Sequence, residues 1–329
     1  MKSNKLCDLG EFKLVSHFVK KSRLIRIKPE PAVHSGDDAF AGGISKGKEL
    51  VVSKDVLVEG VHFSNRLMSY RQIGRKSMLV NLSDLAAMGG VTPLYALVGC
   101  ALPKNFDSKN IIDMFDGLCG AARDFGCAIV GGDTVSSKKG VFLSVTVMGE
   151  AFKKDLIKRS TAKTGDLIFS TGKLGCSDLG LRLLMKGKKG FSSLKSAHIN
   201  PKPRFEEAAL LARNKAANAM IDSSDGLEVC IREIANSSNL GACVDVDILA
   251  DDSELRKACG MLSLDPRQIC VSGGEDYQLV FTAPESKEKF INRHMPQAFK
   301  IGRMVKRPGG IKYFYKGREF KSGRGYEHF

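Results

Sequence analysis

Residues 71–102 read RQIGRKSMLVNLSDLAAMGGVTPLYALVGCAL, and this stretch decides the fold class. Ile73, Met78, Leu79, Leu82, Leu85 and Ala86 recur at helical spacing, so Arg71 to Met88 is expected to be an amphipathic helix that stops at Gly89-Gly90. Leu94 to Leu102 follows as a continuous apolar run bounded by Pro93 and Pro103, which predicts a buried strand. Working outward, Leu50–Ser53 predicts a strand, and Asp55–Phe63 a second extended piece after a bend. Lys109–Phe125 predicts a helix, Cys127–Val130 a short buried strand and Val141–Met148 another. Beyond a basic linker the pattern resumes: strand Asp166–Ser170, helices Ser177–Met185, Pro203–Asn214 and Gly226–Ser237, strands Ala242–Val246 and Tyr277–Phe281. Strands alternating with helices through both halves imply two α/β (α+β) domains, taken as 1–148 and 149–329.

The 329 residues, 43% of them hydrophobic, can bury a substantial core. Apolar runs fall short of the roughly 18 residues a membrane span needs, and the start MKSNKLCDLGEF lacks the apolar core of a secretory signal. Nine cysteines, an odd number with no C-x-x-C pair, sit mostly in apolar segments. They read as core residues of a cytoplasmic protein, not a disulfide frame or zinc site. The net charge of +15 suits anionic substrates. It also admits nucleic acid, although no recognition helix, zinc finger or RNA-binding aromatic pair accompanies it, so no specific nucleic-acid partner is expected.

In so basic a chain, carboxylates beside glycine and turn residues stand out: Gly36-Asp-Asp-Ala39, Ser53-Lys-Asp55, Asn81–Gly89, Gly131-Gly-Asp-Thr134, Asp222-Ser-Ser-Asp-Gly226 and Ser272-Gly-Gly-Glu-Asp-Tyr277. Each alone has an ordinary reading as a turn or a helix cap, as for Asp222 or Asp225 before Gly226. Together they fit hard-cation chemistry. Magnesium takes oxygen ligands and is usually held by one or two carboxylates plus substrate phosphates. Glycine lets backbone amides approach phosphate oxygens, and phosphoryl transfer asks mainly for alignment and charge neutralisation. One motif is a decoy: Gly42-Gly-Ile-Ser-Lys-Gly-Lys-Glu49 matches G-x-x-x-x-G-K but ends in Glu and precedes a strand, so it predicts a hairpin turn and not a phosphate loop.

In this order the motifs resemble the thiamine-monophosphate kinase family of the aminoimidazole ribonucleotide synthetase superfamily, from Gly10-Glu-Phe12 to Gly325-Tyr-Glu-His-Phe329. Asn81–Gly89, Gly131–Thr134, Asp222–Leu227 and Ser272–Leu279 carry most of the resemblance, with Gly60-Val-His-Phe63. It implies a two-domain aminoimidazole ribonucleotide synthetase-like fold, an N-terminal domain that dimerises through its sheet, and a C-terminal domain closing a cleft for ATP and several Mg²⁺ ions. The activity implied is direct in-line transfer of the ATP γ-phosphate to thiamine monophosphate, giving thiamine diphosphate.

By the same resemblance Asp38, Gly132, Asp133, Arg159 and Ser224 are implied at the nucleotide. Asp38, Ser53, Lys54, Asp55, Asp84, Asp133, Asp222 and Asp225 are implied at metal, and His62 and Glu275 at the substrate. Lys54 stands where the family carries a small hydroxyl residue; its ammonium is expected to supply part of the positive charge of a weakened ion. His34-Ser-Gly36 replaces a more usual Gly-Ile-Gly. The aromatic expected before the final Gly-Tyr-x-His-Phe falls at Gly323 or nearby, leaving Phe320 or Tyr326 to stack on the substrate ring. Another ATP-dependent enzyme of the superfamily remains the alternative, and after it a basic nucleic-acid-binding protein.

Overall fold

The computed structural model describes residues 11–22, 30–32, 39–323 and 325–326. The chain divides into two units, Met1–Leu85 with Val91–Lys153, and Ala86–Gly90 with Lys154–Phe329.

The first unit runs α1 (Glu11–Ser22), β1 (Glu49–Val58), α2 (Tyr70–Ala87), β2 (Thr92–Pro103), α3 (Ser108–Asp124), β3 (Ala128–Ser137) and β4 (Phe142–Ala151). The four strands form one sheet in the order β1-β4-β2-β3, with β2 and β3 the parallel pair joined through α3. Strand alternation sorts the two faces. Leu57, Leu143, Val145 and Val147 are buried on the side that carries the helices, whereas Leu50, Val52 and Val56 are exposed on the other. The helices α2 and α3 touch backbone to backbone. A Cβ on Gly74 would lie 1.8 Å from Met114 O, and one on Gly117 2.0 Å from Arg71 O.

Two expectations change here. The strand β1 is one unbroken element through Val58, without the bend expected near Asp55. The strand β3 continues through Gly131-Gly-Asp-Thr134 to Ser137, where a loop was expected after Val130. Glycine is required there by proximity: a Cβ on Gly132 would lie 1.9 Å from Val98 O of β2. The decoy motif is a turn at Lys46-Gly47, with Gly47 at φ +79°, leading directly into β1. Lys48 is tied to buried Glu150 at 2.7 Å, and Ser45 donates to the same carboxylate from its amide (2.6 Å) and its hydroxyl (2.9 Å).

The second unit contains β5 (Leu167–Ser170), α4 (Cys176–Met185), α5 (Ser192–Ile199), α6 (Phe205–Arg213), β6 (Ala219–Asp222), α7 (Leu227–Ser238), β7 (Leu240–Asp245), α8 (Asp247–Ala250), α9 (Ser253–Leu262), α10 (Pro266–Ser272), β8 (Leu279–Ala283), α11 (Glu288–His294), β9 (Phe299–Lys306), β10 (Ile311–Tyr315) and β11 (Arg318–Phe320). Its sheet has the order β11-β10-β7-β9-β5-β8-β6. Apart from β7 and β10, neighbouring strands are antiparallel, so the alternation of helix and strand along the chain does not produce a doubly wound parallel sheet. Helices cover both faces. Ile168, Ile221 and Val280 pack toward α4, α7, α9 and α10. Phe169, Met220 and Phe281 pack toward α6 and α11, with the two phenyl rings stacked at 5.4 Å.

The eight cysteines among the described residues are free, and most are buried. Burial pushes the Cys127 thiol up to about 12, so this residue is an apolar packing group and not a nucleophile. No helix among the described residues is long and apolar enough to cross a membrane.

Candidate active site

In the first unit α2 lies against β1. Asn81 accepts from the Asp55 amide (2.8 Å), and its own amide donates to Ser77 O (2.8 Å). One turn on, the Ser53 hydroxyl donates to Asp84 Oδ2 at 2.5 Å. Ser53, Asp55 and Asp84 thus gather half-buried oxygen atoms on the helix-covered face. Asp84 is therefore not a stranded helix carboxylate; the hydroxyl of β1 meets it.

Lys54 points the other way. It is paired with Thr146 and Leu97 across the sheet, on the face away from Ser53 and Asp55, and it is exposed. Its ammonium is not beside the Ser53–Asp84 oxygens, contrary to expectation. Asp133 lies on that same open face, opposite Gly99 on the far edge strand. Three strand spacings, about 14 Å, separate the two edges, so one ion cannot take both Asp133 and Asp55 of the same sheet. The Asp133 carboxylate accepts from the Thr134 amide at 2.8 Å.

His62 follows β1 in a tight turn, its amide bonded to Val58 O (2.9 Å) and its Nδ1 accepting from the Val58 amide (3.0 Å). With Nδ1 occupied as an acceptor, the neutral ring carries its proton on Nε2. Asp38 and its neighbours His34–Asp37 lie outside the described residues. Among the described residues no three Asp, Glu, His or Cys side chains converge as a metal-binding group. Donors of this kind fit magnesium held by one or two carboxylates, with the remaining positions filled by phosphate oxygens and water.

In the second unit two loops meet at the ends of β6 and β8. Asp222, 3% exposed, ends β6; the Ser223 amide donates to Gln278 O (2.8 Å) and the Gln278 amide to Ser223 Oγ (3.2 Å), while the Glu275 amide donates to Ser224 O (2.6 Å) and the Tyr277 amide to Ser223 O (3.0 Å). Gly274 makes this approach possible, since a Cβ there would meet Ser224 O at 2.6 Å. Ser224 donates to Asp225 Oδ2 at 2.9 Å. Neither aspartate caps α7: the N-cap is Gly226, which has no side chain and sits at φ +101°. Arg159 is exposed and stands one residue beyond the bridge between Lys158 and Ala219 of β6. Burial pushes the Cys230 thiol far up, Asp222 and Asp225 push it further, and Arg159 opposes them.

The aromatic candidates separate. The Tyr326 amide donates to Asp225 O at 3.2 Å, which brings this half-exposed residue to the aspartate loop. Phe320 instead packs against Tyr313, with the Arg267 guanidinium over its ring at 5.5 Å. The Gly323 position has no room for a ring: its amide donates to Gln268 (2.6 Å), and a Cβ would lie 2.7 Å from Ser272 Oγ.

Between the two loops, Glu275 (φ +62°) and Tyr277 (φ +51°) are left-handed non-glycine residues, a strain of about 1–2 kcal/mol each. They flank Asp276, which points inward and accepts from the Gly175 amide (2.5 Å) and the Ser177 amide (2.8 Å) at the start of α4. Burial pushes Asp276 up to about 7, the two amides pull it down, and the charge of Asp178 adds to the rise. Its unfolded value is about 3.9. The folded state therefore holds a proton that the unfolded chain releases; the contribution is complete below that lower value and is lost as pH rises through the folded one. Urea unfolding is expected to show stability declining between about pH 4 and pH 7 with a slope of up to about 1.4 kcal/mol per pH unit. Asp276→Asn should flatten that decline; identical slopes in both proteins would mean that Asp276 is ionised in the fold throughout.

The family model for the AIR synthase related protein N-terminal domain matches residues 36–151, and that for the C-terminal domain residues 163–313. The thiamine-monophosphate kinase of Synechococcus elongatus is 34% identical over 310 residues, 91% of this chain and 92% of that one. The crystal structure of the thiamine-monophosphate kinase from Stenotrophomonas maltophilia superposes with a TM-score of 0.81 at 30% identity, over 94% of this chain and 98% of that one. A solved structure described as AaThiL complexed with AMPPCP and TMP covers both chains fully, with a TM-score of 0.75 and 29% identity. The chain belongs to the thiamine-monophosphate kinase family, its two halves being the AIR synthase related N- and C-terminal domains.

Proposed function

We infer that the chain phosphorylates thiamine monophosphate with ATP by direct in-line transfer, using magnesium ions held by its aspartates. The observation that carries this reading is the pairing of oxygen-donor groups, Ser53 with Asp84 and Ser224 with Asp225, in a chain 34% identical to a kinase of this name. An oxygen of the substrate phosphate attacks the γ-phosphorus, the bond to the bridging oxygen breaks, and ADP leaves with that electron pair. Magnesium, when bound, neutralises charge on the phosphate oxygens.

The chain's own groups bind and orient. Asp55, Asp84, Asp133, Asp222 and Asp225 offer carboxylates, with Ser53 and Asp38 completing the set. Lys54 can contribute by its backbone alone. Gly132 brings the backbone of β3 close to a nucleotide without a side chain intervening, and Ser224 offers a hydroxyl. Arg159, exposed beside β6, offers a guanidinium to a phosphate. His62 presents an Nε2–H donor and Glu275 an acceptor to the substrate, whose aminopyrimidine carries N–H groups and whose thiazolium carries a positive charge. Tyr326 is the aromatic favoured for stacking over Phe320.

A homodimer through the open face of the first sheet belongs to this reading. Leu50, Val52, Val56, Leu97, Val135 and Phe142 leave an apolar surface on that face, which a soluble protein rarely exposes to water. Asp133 shares the face a second copy would cover. Val52→Asp is expected to shift the sedimenting species from dimer to monomer; a parent protein that sediments as a monomer would end the idea. Free cysteines fit a cytoplasmic enzyme.

The test is ADP release from ATP and magnesium with thiamine monophosphate as acceptor and thiamine as control, for the parent and Asp133→Asn. The expected result is activity with the monophosphate only, lowered at least about a hundredfold in the variant. Turnover with neither acceptor would point to another ATP-dependent reaction of the superfamily. Salt-sensitive binding to RNA that survives Asp133→Asn would favour the nucleic-acid reading.

A further inference from the structure

His198 lies in the last turn of α5, 3% exposed, where few imidazoles sit without a task. Its Nδ1 is 3.3 Å from Glu275 Oε2 and 3.2 Å from Ser177 Oγ. One nitrogen thus faces two oxygens from two other elements, the strained loop before β8 and the first turn of α4. The two contacts compete for one proton. If Nδ1 carries hydrogen, it donates to Glu275, and the Ser177 hydroxyl must send its own hydrogen elsewhere. If Nδ1 is bare, Ser177 donates to it and the Glu275 carboxylate faces a lone pair. An anionic Glu275 favours the first arrangement.

The surroundings make that arrangement rigid. Asp276, next to Glu275, holds the Ser177 amide, so the hydroxyl that competes for His198 is anchored by the loop that carries Glu275. The Glu275 backbone is held separately by Ser224 O. Backbone and carboxylate are therefore held by different partners, the imidazole being one that meets the carboxylate.

We propose that His198 is a positioning residue for the substrate: its Nδ1–H holds Glu275 Oε2, which turns the other carboxylate oxygen toward the amino-pyrimidine or the thiazolium of thiamine monophosphate. This rests on the reading of Glu275 as a substrate-binding residue. Because His198 acts through Glu275, it is expected to change acceptor affinity and not transfer.

Three substitutions test it. In His198→Gln the side-chain nitrogen falls near the Nε2 position and leaves the Nδ1 position without a donor. In His198→Asn a nitrogen falls near Nδ1. His198→Gln should raise KM for thiamine monophosphate about tenfold, with kcat and KM for ATP unchanged within about twofold. His198→Asn should recover most of that loss, and adding His198→Gln to Glu275→Gln should cost nothing further.

Equal effects of His198→Gln and His198→Asn, a rise in KM for ATP, or multiplying effects in the double variant would each overturn the proposal. So would a silent His198→Gln in a protein where Glu275→Gln does raise KM for the acceptor. A Glu275→Gln that leaves that KM unchanged removes the role of Glu275 itself, and this inference with it. Nitrogen NMR of the imidazole in the unaltered protein is independent of how the variants fold: a protonated Nδ1 supports the proposal, and a bare Nδ1 with protonated Nε2 overturns it.

Discussion

Asp84→Asn is expected to lower the turnover of ATP-dependent phosphorylation about a thousandfold, with the fold intact. Asparagine keeps the shape and still accepts from the Ser53 hydroxyl, which contacts Asp84 Oδ2 at 2.5 Å. The Asn81 bonds to Asp55 and Ser77, which hold α2 against β1, are untouched. What disappears is the charge. If that charge holds a cation against phosphate, loss of turnover is large and raising the magnesium concentration recovers part of it. Circular dichroism and a melting curve would match the parent. Turnover within about threefold of the parent would make the Ser53–Asp84 pair a packing contact.

Gly74→Ala should destabilise the first unit by about 3 kcal/mol or more. The added methyl would sit 1.8 Å from Met114 O, a backbone atom in the middle of α3 that cannot swing aside as a side chain does. The helices must separate, and Ile73, Met78 and Met114, all fully buried, lose packing with them. Gly120→Ala is the control, because a Cβ there meets nothing within 4 Å. It should stabilise α3 by up to about 1 kcal/mol. A melt with separate transitions is the appropriate measurement in a chain of two units. If the Gly74 variant melts with the Gly120 variant, the close crossing of α2 and α3 is wrong.

The elements legible in the sequence were those whose boundaries and period agreed. Tyr70–Ala87 and Thr92–Pro103 form as their spacing and their flanking glycines and prolines imply. Residues 131–134 were misread because paired glycines suggest a turn, whereas here they serve a strand too close to its neighbour for a Cβ. The strands β9 and β10 have weak alternation and take their conformation from partners distant in the chain, β9 between β5 and β7 and β10 beside β7, so local pattern did not reveal them.

Most candidate site residues were named through motifs, yet their grouping depends on register. Ser53 meets Asp84 because β1 and α2 are packed, while Lys54 and Asp133 go to the opposite face for the same period-two reason. His198 was missed altogether. A single histidine in a short helix, with no spaced partner, carries no local signal; only the fold brings Ser177 and Glu275 to it.

The order of strands in the second sheet has a consequence for how the protein is made. All four residues of β5 are buried, and its two neighbours are β8 and β9. Asp166, just before β5, meets Thr282 of β8 across 116 residues. During synthesis β5 leaves the ribosome as an apolar segment whose hydrogen-bonding partners do not yet exist, for seconds at ordinary translation rates. Closing so long a loop before any pairing is rewarded also slows the search. Folding of the second unit is therefore expected to be post-translational, with β5 the segment a chaperone would shield.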